Sequence, residues 1–279
     1  MPSHPDRLKI LEVDLFVEAL ARRHGYDFSH YAKASLRRRV SALALHLGSP
    51  TIADLLPRVL YDDSLLPTIL STLSVPVTEM FRDPPVFRAI AERILPVLAT
   101  YPRLNIWQAG SATGEEAYSL AILLDEAGLL QKAQIYATDI NDTAIAKAEE
   151  GIMSAEQVAR YDVSYRKAGG TKTLSHYFSQ GYGFAKISSG IKDHISFAHH
   201  NLVSDGVFCE VSMVMCRNVL IYFDKALQDH VLGLFASSLS RGGFLCLGTR
   251  ENLGGSAEAH QFLSLDRELR LFKKIGERG

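Results

Sequence analysis

The sequence predicts an α/β protein, in which a doubly wound parallel sheet carries a small β-rich insertion and follows an all-α N-terminal domain. Three observations lead to this prediction. Residues 10–75 have helical periodicity, short apolar runs alternate with amphipathic helices after residue 100, and a glycine-rich segment interrupts this alternation between residues 151 and 201. Alternation of strands and helices is typical of a parallel sheet with helices on both faces.

The N-terminal domain, placed at residues 1–75, is predicted to be helical throughout. Apolar residues spaced three and four apart mark the buried faces of its first two helices: Leu11, Leu15, Phe16, Val17 and Leu20, then Val40, Leu43, Leu45 and Leu47. Gly48-Ser49-Pro50 ends the second helix, Thr51 is predicted to cap a third, and residues 64–73 form another. Pro76 then begins a linker, which we place at 76–90.

The sheet domain is placed at residues 91–279. Its strands are predicted at 104–107, 134–138, 195–197, 211–216, 244–247 and 270–273, and its helices at 115–126, 143–150 and 225–239. The β-rich insertion covers about 151–194 and is either structural decoration or a docking surface.

The overall composition argues against several classes of protein. The 30 basic and 31 acidic residues nearly cancel, so we expect no general attraction to nucleic acid. No apolar stretch is long enough to span a membrane, and residues 1–11 do not resemble a signal peptide, so we expect a cytoplasmic protein. Cys209, Cys216 and Cys246 lack metal-type spacing and are predicted to be buried thiols. We expect no metal site, because His199-His200 has no second cluster of possible ligands at a suitable spacing.

Polar residues follow four of the predicted strands, where a doubly wound sheet binds its ligands. Gly110 and Gly114 allow a ligand to approach the backbone after the first strand, and Glu116 follows them. Asp139 follows the second strand, at a position where a carboxylate commonly binds ribose hydroxyls. The alternative is that Asp139, Asn141 or Asp142 caps the next helix, so the role of Asp139 stays open at this point.

The remaining two strand ends carry Asn201-Leu202 and Arg217-Asn218. An arginine in a salt bridge and an asparagine in a turn would explain the second pair without any ligand. Four polar strand ends at one edge of a sheet favour a shared binding site instead.

Read together, these residues resemble the chemotaxis receptor methyltransferase family of the CheR type. The resemblance covers nearly the whole chain and is carried by six motifs: Thr78-Glu79-Met80-Phe81-Arg82-Asp83, the run from Gly110 to Ser119, Ala137-Thr138-Asp139-Ile140, Asn201-Leu202, the run from Cys216 to Phe223, and the run from Gly242 to Gly248. The sequence departs from the family pattern at Pro76, where Asn is frequent, and at Met80, Ser111 and Ala117, where Phe, Cys and Pro are frequent.

The resemblance implies an S-adenosylmethionine-dependent methyltransferase sheet that leaves S-adenosylhomocysteine as product. The cofactor contacts that it implies, together with the glycine of the first loop, are Thr78, Arg82, Gly110, Glu116, Asp139, Asn201, Leu202, Arg217 and Asn218. Arg82 and Tyr222 would be the catalytic residues. The implied activity is transfer of a methyl group to glutamate carboxylates of chemoreceptors, which are ionised at neutral pH and need no general base.

A basic stretch in the helical domain is the candidate surface for the receptor's cytoplasmic helical domain. It opposes Asp27 with six basic residues, among which Arg37 and Arg38 are the predicted substrate-binding residues: Arg22, Arg23, Lys33, Arg37, Arg38 and Arg39. Such a surface steers acidic partners, although it is also compatible with a solvated helix face. We expect a monomer. Two other hypotheses stay open, a methyltransferase for another protein or a small molecule, and a non-catalytic cofactor-binding sensor.

Overall fold

Ten strands form two sheets in the described part of the chain. The computed structural model describes residues 4–275, with side chains from residue 6 onwards; residues 1–3 and 276–279, which the predicted domains include, lie outside the described residues. In chain order the strands are β1 Leu104–Ala109, β2 Ala133–Asp139, β3 Ile152–Ser154, β4 Phe178–Gly181, β5 Phe184–Ile187, β6 Ile195–His199, β7 Val211–Cys216, β8 Leu239–Leu247, β9 Phe262–Asp266 and β10 Leu271–Lys274.

The larger sheet has seven strands in the order β6-β2-β1-β7-β8-β10-β9. Its first five strands are parallel, as predicted, whereas β10 runs antiparallel to both β8 and β9. The prediction missed β9, and the short connection between β9 and β10 explains the antiparallel pairing, because a parallel crossover needs a dozen residues or more. The predicted fold class, an α/β sheet preceded by an all-α region, is confirmed.

Helices surround this sheet and form the N-terminal region. Their bounds are α1 His4–His24, α2 Lys33–His46, α3 Leu56–Tyr61, α4 Leu66–Ser74, α5 Pro84–Ala89, α6 Leu95–Leu98, α7 Glu115–Glu126, α8 Asp142–Glu150, α9 Ala155–Lys167, α10 Ser189–Lys192 and α11 Lys225–Ser238. The prediction of helix throughout residues 10–75 is wrong for the segment between α1 and α2, where the positive φ of Gly25 ends α1.

The predicted linker at 76–90 contains helix. Pro84 and Pro85 occupy the first positions of α5, where a missing N–H costs no hydrogen bond, and α5 continues through a π-helical turn at Ile90–Ile94 into α6. The non-helical part of this linker is therefore confined to residues 76–83.

The insertion contains a small antiparallel sheet of order β3-β5-β4, and also the helix α9, which the sequence analysis missed. A capping box starts α9, because the Ser154 side chain accepts from the Gln157 N–H while the Gln157 side chain accepts from the Ser154 N–H. Val158, Tyr161 and Tyr165 form its buried face.

Two buried clusters lie on opposite faces of the larger sheet. One joins residues of α1 to α4 with Trp107 of β1, Val214 of β7 and Phe235 of α11, so the helical region shares a core with the sheet. The other contains α5, α7 and α9. Strand order reverses between β1 and β7, and sheets of this kind bind ligands at the carboxyl ends of the strands at such a point.

Candidate active site

A cleft occupies the crevice at the carboxyl ends of β1, β2, β6 and β7. It encloses about 900 Å³ of empty space, including the solvent at its mouth. Ten of the predicted site residues line it: Thr78, Arg82, Gly110, Glu116, Asp139, Asn201, Leu202, Arg217, Asn218 and Tyr222. The other two, Arg37 and Arg38, do not line it.

A buried ion pair forms the floor of the cleft. Arg217, whose side chain is fully buried, donates from Nη1 to Glu116 Oε2 at 2.8 Å and from Nη2 to Asp83 Oδ2 at 2.5 Å. Burial lowers the pKa of Arg217, but the effects of Glu116, Cys246 and Asp83 together outweigh burial, so the net change is a rise. Burial raises the pKa of Glu116, against the attraction of Arg217. Arg217 also donates to the Arg82 carbonyl at 3.0 Å, which fixes the linker against the sheet.

Asp139 ends β2 and faces the glycine loop that follows β1. Its Oδ2 accepts from the Ala112 N–H at 2.8 Å, and its Oδ1 accepts from the Asn141 N–H at 3.0 Å. Burial raises the pKa of Asp139, and these backbone hydrogen bonds oppose the rise. Asn141, rather than Asp139, caps α8 by accepting from the Ala144 N–H. The capping alternative for Asp139 is therefore wrong.

Gly110 has a positive φ of 75°, and a β-carbon there would collide with Cγ2 of Val219. Only glycine lets the loop after β1 pass this close to the loop after β7.

Asn201 and Leu202 follow β6 and form another wall of the cleft. The Asn201 side-chain oxygen accepts from the Val203 N–H at 3.0 Å, and the Asn201 N–H donates to Asp205 Oδ2 at 2.8 Å. His200 packs edge-on against Trp107 with ring centroids 5.1 Å apart, and its Nε2 lies 3.2 Å from the Gly206 carbonyl oxygen. A histidine held in this way is part of the wall.

Tyr222 follows β7 at the seam with the helical region. The Arg39 guanidinium lies over its ring, 4.3 Å from the centroid, and Arg39 also donates to the Leu73 carbonyl. Burial lowers the pKa of Arg39, and the Tyr222 and Tyr31 side chains partly counteract it. The prediction that Arg39 belongs to the basic surface is wrong, because its side chain is buried beside the cleft.

The rest of the basic stretch is partly neutralised. Ion pairs engage three of its members, Arg22 with Glu18, Arg23 with Asp63 and Lys33 with Asp14. Arg37 and Arg38 are exposed on α2 and line a separate groove with Lys9 and Asp6. The structure therefore places the two predicted substrate-binding arginines on the outer surface of the helical region.

Sequence reasoning missed two further residues of the site. Tyr31, between α1 and α2, lines the cleft, and nothing in the local sequence indicated this. Glu251 is buried behind Asn218, whose φ is 61°, and accepts from the Gly248 N–H at 2.5 Å. Burial raises the pKa of Glu251, while backbone hydrogen bonds from the loop after β7, including Asn218, lower it. In the sequence, Glu251 could have been noticed as an acidic residue that follows the apolar strand β8.

Other features bear on the class of site. Among residues 4–275, no group of three or more His, Cys, Asp or Glu side chains is arranged to hold a metal ion. Within that range, no helix has the length and apolar character needed to cross a membrane. Cys216 and Cys246 are buried as predicted, whereas Cys209 is partly exposed, contrary to the prediction.

The residues of the cleft fit S-adenosylmethionine. Asp139 offers carboxylate oxygens at the position expected for ribose, and Gly110 leaves room for close approach of a ligand to the backbone. The Arg217 Nε and the Ser111 hydroxyl are buried without a hydrogen-bond partner among the described protein groups. The cleft also carries charges of both signs, as a ligand with an amine, a carboxylate and a sulfonium requires.

Comparison with known proteins agrees with this geometry. Residues 76–269 match the family model described as CheR methyltransferase, SAM binding domain, and residues 11–74 match the model described as CheR methyltransferase, all-alpha domain. A Pseudomonas putida protein with the provisional name methyltransferase Cher3 is 43% identical over 95% of this chain and 97% of its own. A chemotaxis protein methyltransferase of Vibrio anguillarum is 31% identical over 82% of this chain and 84% of its own.

Among solved structures, a magnesium protoporphyrin IX methyltransferase from Synechocystis with bound S-adenosylhomocysteine is 19% identical, covers 59% of this chain and 54% of its own, and gives a TM-score of 0.35. That score is too low to support an argument. The two family matches and the identities of the relatives are sufficient: this chain belongs to the CheR methyltransferase family, and its cofactor is S-adenosylmethionine.

Proposed function

We propose that this protein transfers the methyl group of S-adenosylmethionine to glutamate side-chain carboxylates of chemoreceptors, giving glutamate methyl esters. The observation that carries the proposal is that Arg82 and Tyr222 both line the cleft and that the Arg39 guanidinium lies over the Tyr222 ring. These groups suit an anionic acceptor. His200, the one histidine among the described lining residues, is packed into the wall and is poorly placed to act as a base. The chemotaxis methyltransferases among the relatives support this substrate class.

The proposed reaction needs no general base to activate the methyl acceptor. A glutamate carboxylate has a reference pKa near 4.3 and is already a nucleophilic anion at neutral pH. S-adenosylmethionine supplies an electrophilic methyl group on a sulfonium. The task of the side chains is therefore alignment of the carboxylate oxygen with that methyl group, which is worth several orders of magnitude in rate.

The charges of the site are arranged to avoid holding the substrate too tightly. Charge is lost when a carboxylate attacks a sulfonium, so strong pairing of the carboxylate with a cation would stabilise the ground state more than the transition state. The two terminal nitrogens of Arg217 are paired with Glu116 and Asp83, and Arg39 is engaged by Leu73 and the Tyr222 ring. Arg82 and the Tyr222 hydroxyl remain to position the acceptor.

The proposed partner is the Glu-rich cytoplasmic helical domain of a chemoreceptor. Arg37 and Arg38 are the proposed contact residues, because both are exposed on α2 of the helical region. We propose that the protein acts as a monomer in the cytoplasm, with residues 1–75 recognising the receptor, residues 76–90 contributing to the cofactor site, and residues 91–279 carrying out the transfer.

The test is transfer of a radiolabelled methyl group from S-adenosylmethionine to membranes that carry chemoreceptors. We expect base-labile label on receptor glutamates, and at least a hundredfold less label with Arg82→Ala, since misplacing a reacting group by about 1 Å can cost that much. Tyr222→Phe should lower the rate by a smaller factor. Arg103→Ala, an exposed arginine far from the carboxyl ends of the strands, is the matched control.

Two outcomes would contradict the proposal. Label that resists base would exclude a carboxyl ester. Absence of label, in a preparation that binds S-adenosylhomocysteine by calorimetry, would redirect the search to another acceptor or to the sensor hypothesis.

A further inference from the structure

Tyr31 brings the helical region into the cofactor cleft. It lies between α1 and α2, only 8% of its surface is exposed, and it lines the cleft together with residues of the loops that follow the sheet strands. None of the predicted cofactor contacts comes from this part of the chain.

Aromatic packing holds the Tyr31 ring in place. Its centroid is 4.6 Å from that of Phe28, which is fully buried, and 5.0 Å from that of Phe223, which follows β7. The ring is thus fixed between the helical region and the loop that carries Tyr222.

Backbone hydrogen bonds fix the same segment from both sides. The Ala32 N–H donates to the Tyr222 carbonyl at 2.8 Å, and the Asp224 N–H donates to the His30 carbonyl at 2.8 Å. Tyr31 and Phe223 consequently form an isolated antiparallel bridge. The backbone at Tyr31 is therefore held in place by hydrogen bonds to the loop after β7.

Two charged side chains, Asp139 and Arg39, affect the pKa of the Tyr31 hydroxyl. Burial raises its pKa well above the ordinary value, the Asp139 carboxylate raises it further, and the Arg39 guanidinium lowers it. The hydroxyl consequently stays protonated at physiological pH and is a hydrogen-bond donor in a cleft that Asp139 also lines.

The Tyr31 hydroxyl supplies a hydrogen-bond donor, which the Asp139 carboxylate cannot supply. An ionised carboxylate only accepts hydrogen bonds, whereas each ribose hydroxyl both donates and accepts. Ala112 and Asn141 already donate to the Asp139 oxygens, which leaves their remaining lone pairs for ribose donors. The ribose oxygens then still require a donor from the protein.

We propose that Tyr31 is a cofactor-binding residue, whose hydroxyl donates to the ribose of S-adenosylmethionine and acts together with the Asp139 carboxylate. The helical region then completes the cofactor site, so cofactor binding stabilises the contact between this region and the sheet. The proposal rests on the cofactor and not on the identity of the methyl acceptor.

The first test is calorimetric titration of S-adenosylhomocysteine into the intact protein and into Tyr31→Phe. Loss of one buried hydrogen bond should weaken binding about tenfold. Tyr61→Phe, the same change at an exposed tyrosine of α3, should bind within about twofold of the wild type. Equal affinities of Tyr31→Phe and the wild type would overturn the proposal.

The second test separates the loss of a ribose contact from a general weakening of the cleft in Tyr31→Phe. Analogues of S-adenosylhomocysteine that lack the 2′- or the 3′-hydroxyl are titrated into both proteins. We expect that removing one of the two hydroxyls weakens binding to the wild type at least threefold more than binding to Tyr31→Phe, because the lost partner is already absent there. Equal losses in both proteins for both analogues would exclude the ribose contact.

These measurements need no methyl acceptor. The proposal about receptor glutamates can thus fail while the Tyr31 proposal stands, and the reverse also holds.

Discussion

Three consecutive arginines of α2 have different environments. Arg37 and Arg38 are exposed, whereas Arg39 is buried and reaches the ring of Tyr222. The spacing contained this information, because Arg39 lies three residues after Leu36 and four before Leu43, both buried, and such residues share a helix face. Counting charges along the sequence did not reveal this difference in exposure, because a count takes every arginine to be exposed to solvent.

We expect Arg39→Met to lower kcat about tenfold with little change in the affinity for S-adenosylhomocysteine. The variant removes the cation from the Tyr222 ring, an interaction worth about 2 kcal/mol when desolvated, while leaving the cofactor contacts in place. Steady-state kinetics together with calorimetry measure the two quantities. Arg39→Lys should recover part of the rate.

The loss in Arg39→Met should also shrink when Tyr222 is already Phe or Leu, because the two side chains act as a unit. Additive losses would show that Arg39 acts elsewhere. A matching loss of cofactor affinity would contradict its assignment as a residue that positions Tyr222.

Cofactor affinity should fall at acid pH through protonation of Asp139. Its pKa is raised in the free protein by burial. A ligand that donates to the carboxylate binds the ionised form, so the full affinity is present above this pKa. The affinity is then lost, up to tenfold per pH unit, as the pH falls through a midpoint above the ordinary aspartate value of 3.8. Calorimetry of S-adenosylhomocysteine between about pH 4 and pH 8 measures it.

Asp139→Asn is the control for this titration, since it should bind weakly with a flat profile over the same range. A wild-type profile as flat as that of Asp139→Asn would mean that the carboxylate does not contact the cofactor.

Most of the elements could be predicted from the sequence because their signals are local. The predicted helix at 115–126 agrees with α7, and the buried strands β1, β2 and β7 are short apolar runs bounded by polar residues. Helix α9 was missed because most of its residues are polar, although Ser154 and Gln157 form a recognisable capping box. Strand β9 gave no clear signal, since as an edge strand only its first residue, Phe262, is fully buried.

The loop after β7 depends on a residue from a distant part of the chain. Its conformation brings Arg217, Asn218 and Tyr222 to the cleft, and Asn218 adopts a positive φ within it. The buried carboxylate of Glu251 accepts from the Gly248 N–H after β8, and the backbone N–H groups of the loop after β7 lower its pKa. Such support comes from tertiary contact, so local patterns in the sequence could not predict it.

We therefore expect Glu251→Ala to affect both stability and cofactor binding. Leaving buried N–H groups without an acceptor should lower the free energy of unfolding by about 2 to 3 kcal/mol. Displacement of the loop should weaken S-adenosylhomocysteine binding by about tenfold or more. Urea unfolding and calorimetry measure these effects, with the exposed Glu268→Ala as control. An unchanged affinity would show that the loop keeps its conformation without Glu251.

On the scale of the whole molecule, the helical region and the sheet are joined by a common buried cluster. Residues such as Leu20 and Leu73 pack in the same cluster as Trp107 and Phe235. Which helices lie on which face of the sheet is a long-range property, and the sequence analysis only predicted that the helical region precedes the sheet. The shared core explains how Tyr31 and Arg39 reach the cleft from outside the sheet domain.

The distribution of charge over the molecule leads to the last prediction. The net charge is −1, and ion pairs partly neutralise Arg22, Arg23 and Lys33. Arg37, Arg38 and Lys9 line a groove of the helical region together with Asp6, so basic residues outnumber acidic ones there. A local cationic surface on a nearly neutral protein accelerates encounter with an acidic helix at low ionic strength. Neutralising it should act on association and leave the distant cofactor cleft intact.

We expect the double variant Arg37→Gln, Arg38→Gln to associate with receptor-bearing membranes five- to tenfold more slowly at low salt, with unchanged affinity for S-adenosylhomocysteine. The difference from the wild type should disappear near 0.5 M salt, because screening then removes the attraction from both proteins. Arg22→Gln is the matched control, since Arg22 is exposed in the same region but pairs with Glu18. Stopped-flow measurements at several salt concentrations give the rates. A defect that persists at high salt would instead assign the two arginines to direct contact after docking, and no defect at any salt concentration would remove them from the receptor-binding surface.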